Sequence, residues 1–261
     1  MRILFLSTWF PYPLNQGCKI RAYHLLKALA QRHDVKLISF EDSPVEPQWM
    51  NQISHLCQGV ELVRRDPFSY SRIKTLLGWF SWRPSAVLAS HSSEMQKRVD
   101  IISREWKPDR VVALTFVTAP YAIAARGALR IVDVDNLMAR MMYETYQNMS
   151  APIRRARSWL AWKKFLHYER YLYPKFDLCL VVSKRDQQAI QKIIPLREER
   201  VGLVPNGVDL STHFPGLGQP EPYNLIFNGS LTYSANYRAM DYFLSEIYPF
   251  IRVSFPGVRL H

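Results

Sequence analysis

Val201-Gly-Leu-Val-Pro-Asn-Gly-Val-Asp209 divides this chain. Its apolar start has the make-up of a short strand, and Pro205, Asn206 and Gly207 then supply the residues that stop a strand and turn the backbone. Enough sequence lies before it for one whole domain, while fewer residues follow it than most domains need to close a core. The segment Pro205, Asn206, Gly207 and Asp209 is therefore expected to be an interdomain hinge. Residues 1–216 form the first domain, 217–222 (Leu-Gly-Gln-Pro-Glu-Pro) a linker, and 223–261 the opening of a second, incomplete one.

Upstream, apolar runs alternate with longer segments of helical spacing. Strands are expected at Arg2–Ser7, Val35–Phe40, Glu61–Arg64, Arg110–Leu114, Ile131–Val134, Leu178–Ser183 and Val201–Val204. Several are continuous Val/Ile/Leu runs, which suit strands covered on both faces. Helices are expected at Cys18–Arg32, Pro47–Cys57, Ser92–Trp106, Leu137–Gln147, Ile153–Tyr173 and Arg185–Ile194. Such repetition predicts an α/β fold with a doubly wound parallel sheet, whose ligands bind beyond the carboxyl ends of the strands. After the hinge, a strand at Asn224–Asn228, a helix at Asn236–Arg252 and a strand from Val258 start the second such fold.

Composition narrows the function. With 48% apolar and 13% aromatic residues, the chain can build a core. The three cysteines, Cys18, Cys57 and Cys179, lie far apart without ligand spacing, so no metal site or disulfide framework is expected, as suits a reducing cytoplasm. The apolar N-terminus is too short for a secretory leader and runs into Pro11 and Pro13. No run reaches the ~18 apolar residues of a membrane-spanning helix. The formal net charge of +12 suits phosphorylated ligands, anionic lipid or nucleic acid, and no nucleic-acid motif accompanies it. Much of the charge sits in residues 154–170, where Arg154, Arg155, Arg157, Lys163, Lys164 and Arg170 alternate with aromatic residues. That pattern admits a helix lying on a membrane surface or a helix packed on the sheet with its cations snorkelling.

The loop after the first strand, Pro11-Tyr-Pro-Leu-Asn-Gln-Gly17-Cys-Lys-Ile-Arg21, has no GxGxxG fingerprint. Gly17 either forms a turn or lets a phosphate approach a helix N-terminus. The ordered set of motifs is more specific. The spaced Pro11, Pro13, Gly17, Lys19, Arg21 and His24 open the series, and Ala119-Pro-Tyr121 and Val132-Asp-Val-Asp135 follow. Tyr168-Glu-Arg170, Val181-Val-Ser183, the hinge and Phe227-Asn-Gly229 complete it. Together they resemble family 4 glycosyltransferases, most closely the bacterial sugar transferases of exopolysaccharide clusters.

That resemblance implies a GT-B architecture: an acceptor-side Rossmann-like domain facing a donor-binding one. It also implies transfer of a sugar from a nucleotide diphosphate to a saccharide or lipid-linked hydroxyl, with retention and without a metal or other cofactor. Gly17, Gly229, Ser230 and Asn236 fall where the donor diphosphate would sit. Arg21, Thr115, Thr118, Tyr121, Asp133 and Asp135 are acceptor-side candidates, although each also has a bland role in packing, turn formation or helix capping. The loop from Gly229 to Asn236 lacks the Arg and Lys that many members place there, and the family's acidic donor motif is absent from the sequence. The chain is thus expected to be inactive alone, or to serve as a non-catalytic acceptor-, membrane- or partner-binding module. It is expected in the cytoplasm, at the inner face of the membrane if residues 154–170 make contact there.

Overall fold

The computed structural model describes residues 1–41, 43–67, 78, 80–194, 196–210, 214, 216, 218–231 and 234–261. Leu217 of the expected linker and Thr232 and Tyr233 of the second domain's glycine loop lie outside the described residues. The chain forms two compact units, Met1–Asn206 and Gly207–His261.

The first unit is built on seven parallel strands: β1 (Arg2–Ser7), β2 (Asp34–Glu41), β3 (Gly59–Arg64), β4 (Arg110–Leu114), β5 (Leu129–Val134), β6 (Leu178–Val181) and β7 (Val201–Leu203). Their order is β3-β2-β1-β4-β5-β6-β7, so the direction of winding reverses between β1 and β4. Alternate residues feed opposite faces. Leu4, Leu6, Ile38, Phe40, Val111 and Ala113 pack into one core layer, whereas Ile3, Phe5, Val35, Leu37, Val112 and Leu114 pack into the other. Two buried faces explain why these strands are apolar throughout, each large side chain contributing about 1.5–3 kcal/mol on burial.

Helices α1 (Gly17–Ala30) and α2 (Pro47–Ser54) cover the second layer through Ala22, Leu26 and Ile53. The other face carries α3 (Ser85–Ser90), α4 (Ser93–Glu105), α5 (Thr115–Ala122), α6 (Met138–Gln147), α7 (Pro152–Leu172) and α8 (Lys184–Ile193). Only the C-terminal part of α7 is core, through Phe165, Tyr168, Glu169 and Leu172; its first two turns are exposed. The C-terminal half of the helix thus packs as the sheet-covering reading expects.

Several boundaries differ from expectation: the strand expected at Asn224–Asn228 ends at Leu225, and a helix stands at Ser85–Ser90 where none was expected. Residues 115–122, where no helix was expected, form α5, because burial of Phe116, Val117, Ala119, Tyr121 and Ala122 overrides the poor helix propensity of Thr, Val and Pro120. Strand β6 stops at Val181, and Ser183 instead caps α8, its hydroxyl accepting from the Asp186 N–H at 3.1 Å. In the second unit, the single expected helix is broken: α9 (Ser234–Tyr242) passes through a π-helical turn (Phe243–Ile247) into α10 (Tyr248–Ser254). Pro249 lacks the N–H that would continue the ladder.

Strands β8 (Asn224–Leu225) and β9 (Arg259–Leu260) pair in parallel and are the whole of that unit's sheet among the described residues. Two residues per strand cannot cover a helix face. Tyr242, Ile247, Phe250 and Val253 are exposed, Phe250 to 74%, while Phe243 and Ile251 are half-buried.

Candidate functional site

The winding reversal puts the ends of β1 and β4 side by side, and residues from the ends of β5 and β7 join them. In an open parallel sheet this is where a crevice forms. The apolar run of β1 gives way to Ser7 and Thr8, both fully buried. The Thr8 hydroxyl donates to the Leu114 carbonyl at 2.9 Å and lies 2.8 Å from that of Thr115. Thr115, the first residue of α5, has φ +66, a left-handed conformation that is costly for a β-branched side chain. Its hydroxyl also accepts from the Val117 N–H at 3.2 Å, so local hydrogen bonds hold the strained junction.

Arg21 lies one turn into α1. Its Nε and Nη2 donate to the two carboxylate oxygens of Asp133 on β5, at 2.8 and 2.6 Å, and its Nη1 donates to Asn206 Oδ1 at 2.9 Å. The ion pair is dry, with side-chain exposures of 7% and 2%. One guanidinium therefore ties together α1, β5 and the segment leaving β7. Burial works against the cation, yet the hydrogen bonds and charge of Asp133, helped by Asp135, hold the Arg21 pKa above its ordinary value.

Four expectations change accordingly. Arg21 and Asp133 satisfy each other and serve as an internal strut, not as acceptor contacts. Thr118 is fully buried, its hydroxyl donating to Leu114 O at 2.5 Å. Tyr121 is buried too; its hydroxyl accepts from the Ser92 N–H at 2.7 Å and donates to Ser90 O at 3.1 Å. Neither hydroxyl faces the crevice. Thr115 and Asp135, both half-buried, stay at its edge. Burial, and then the neighbouring Asp133 charge, raises the Asp135 pKa; Arg21 and a hydrogen bond from Asn136 offset this in part. Among the described residues Asp135 forms no ion pair.

Gly17 begins α1 at the same edge. The preceding Gln16 supplies no side-chain cap, and the first turn holds no acidic residue. A Cβ added at Gly17 would meet nothing within 4 Å, so packing within the described structure does not require a glycine there. The helix N-terminus thus presents uncapped N–H groups beside open space.

In the second unit, by contrast, Gly229 lies in close contact with side chains. A Cβ there would come within 2.8 Å of Asn236 Nδ2, which donates to Ser230 O at 3.1 Å. Gly229, Ser230 and Asn236 therefore form one knot. At the expected hinge, Asn206 is bound into the first unit through Arg21, Gly207 starts the second, Pro205 is exposed and Asp209 half-buried. Among the described residues no group of three or more His, Cys, Asp or Glu is placed to hold a metal ion, and no helix is long and apolar enough to cross a membrane.

Sequence reasoning did not single out Thr8 or Glu169 for a role. Thr8 was discernible as a polar step at the end of an apolar strand. Glu169, fully buried on α7, accepts from the Met138 and Ala139 N–H groups at 2.8 and 3.3 Å and so caps α6 from 30 residues away. No local pattern announces such a cap.

The sequence pattern of Glycosyltransferase Family 4 matches residues 16–212. Similar solved structures include HepE (Alr3699) of Anabaena in complex with UDP, at 16% identity and a TM-score of 0.42, covering 92% of this chain and 50% of that one. A UDP-glucosyltransferase from Polygonum tinctorium capable of glucosylating indoxyl is 11% identical with a TM-score of 0.47, covering 87% and 58%. This chain thus spans little more than half the length of these proteins. No curated protein matches it.

Proposed function

Since the chain belongs to Glycosyltransferase Family 4, we propose that it takes part in moving a sugar from a nucleotide diphosphate to an acceptor hydroxyl. The transfer proceeds with retention and without a metal or other cofactor, in the assembly of a polysaccharide or glycolipid such as an exopolysaccharide. The observation that carries this reading is the uncapped start of α1 at Gly17, open to solvent at the winding reversal of the sheet. A leaving diphosphate needs preorganised positive potential, and backbone N–H groups at a helix N-terminus supply it without a cation.

On this reading Gly17 admits the diphosphate. Of the acceptor-side candidates, Asp135 is the carboxylate free of an ion pair among the described residues, so it orients the acceptor hydroxyl, with Thr115 beside it. The Arg21–Asp133 strut keeps these groups in register without touching substrate. The second unit described here pairs only two residues in each strand. The 261-residue chain alone is therefore expected to bind nucleotide weakly and to turn over no donor.

Two measurements test this. A transfer assay with a panel of nucleotide sugars should be negative for the isolated chain, and clear turnover would contradict the expected inactivity. Titration of the 15N-labelled chain with UDP or GDP should shift the amide signals of residues 17–20. Gly17→Asp, which sets a carboxylate at the helix start, should abolish those shifts while leaving stability unchanged or raised by ~0.5 kcal/mol. Shifts confined to other residues, or unaltered in the variant, would count against a diphosphate site at α1.

A further inference from the structure

The helical hairpin of α6 and α7 carries a surface that sugar transfer does not explain. The two helices pack along each other, yet the first two turns of α7 are exposed from Pro152 to Arg157. Arg154, Arg155 and Arg157 all sit in those turns, and the first turn has no acidic residue. Cations there oppose the helix dipole and weaken the helix. From Thr145 to Tyr168 the sequence contains no Asp or Glu, and Glu144 is already paired with Arg140. Apolar side chains share this cationic end: Ile153 is 87% exposed and the Trp159 ring 45%.

We propose that the tip of this hairpin docks on an anionic phospholipid bilayer. Arg154, Arg155 and Arg157 meet headgroup phosphates, and Ile153 and Trp159 enter the interface. Charge complementarity selects an anionic partner, and the aliphatic and indole side chains beside the arginines select one with an apolar interior. The neighbouring rings argue against a nucleic acid. Tyr146 and Trp162 stack on each other at 5.9 Å and 11°, the Tyr143 ring lies 6.4 and 4.8 Å from them, and cations take further faces, Arg155 at 5.1 Å from the Tyr146 ring and Lys163 at 4.1 Å from Trp162. Rings occupied in this way offer no platform for bases. The inference rests on this hairpin alone and stands or falls separately from the transferase reading.

Flotation of the purified chain tests it, with vesicles of phosphatidylcholine alone and with about one-third phosphatidylglycerol. A cation near such a surface is worth about fivefold in binding, so Arg→Gln at all three positions should weaken capture about a hundredfold. Arg→Lys at the same positions keeps the charge and should retain capture. The pair Ile153→Asp and Trp159→Ala should remove the part of the binding that survives high salt. Equal capture by neutral and anionic vesicles, no capture at all, wild-type capture by the Gln variant or its loss in the Lys variant would overturn the proposal. So would tighter binding to a short duplex oligonucleotide than to anionic vesicles at equal salt.

Discussion

Arg21 and Asp133 are separated by 112 residues in sequence yet form the best-satisfied polar contact beside the site. Removing one member leaves a charge buried without its partner, which typically costs about 3–5 kcal/mol. Arg21→Ala and Asp133→Ala should each lower stability by about that much in urea denaturation. The double replacement Arg21→Met with Asp133→Leu should cost clearly less than the sum. Losses of under ~1 kcal/mol in the single variants would show that the pair is more hydrated than its geometry indicates. Both residue types were legible in the sequence as candidates. Their role was not, because a charged side chain before a helix turn or at a strand end looks the same whether it meets a substrate or another side chain.

The long-range cap of α6 is the instructive case among the elements. The N-cap residue of that helix, Leu137, has no side-chain acceptor, and Glu169 on α7 supplies one. Burial pushes the Glu169 carboxyl up to about 8, although the Ala139 and Met138 N–H groups pull it down. The folded chain therefore holds a proton on Glu169 across a window from the ordinary carboxyl range, near 4.5, to about 8, in which the unfolded chain has lost it. Stability from this group is full below that window, falls as pH rises through it and is level above it. Glu169→Gln does not titrate, so its denaturation midpoints at pH 5, 6.5 and 8 should follow a flatter course than those of the native chain. Identical slopes would mean that Glu169 is ionised throughout. Seven strands and most helices were legible from apolar runs and spacing. Two exceptions, α3 and α5, show the limit: Thr115-Phe-Val-Thr-Ala-Pro-Tyr-Ala122 is apolar but poor in helix formers, and it becomes a helix because its side chains fill the space beside β4 and β5.

For the whole molecule, the two units differ in what they bury. The first encloses two core layers, one on each face of its sheet. In the second, Val258 is the one apolar side chain that is buried among those described. A chain ending at Asn206 should therefore fold alone and unfold within a few degrees of the full chain, and amide exchange in residues 207–261 should be much the faster. Failure of the 1–206 chain to fold would show that the second unit contributes to the core of the first. Sequence by itself determined the parallel sheet, the position of the segment that leaves it and the family, because apolar periodicity and ordered motifs are properties of the chain taken in order. Only the tertiary structure decided which polar residues face the crevice. Arg21, Thr118, Tyr121 and Asp133 turn inward while Gly17, Thr115 and Asp135 remain at its edge, since burial and hydrogen-bond partners come from residues distant in sequence.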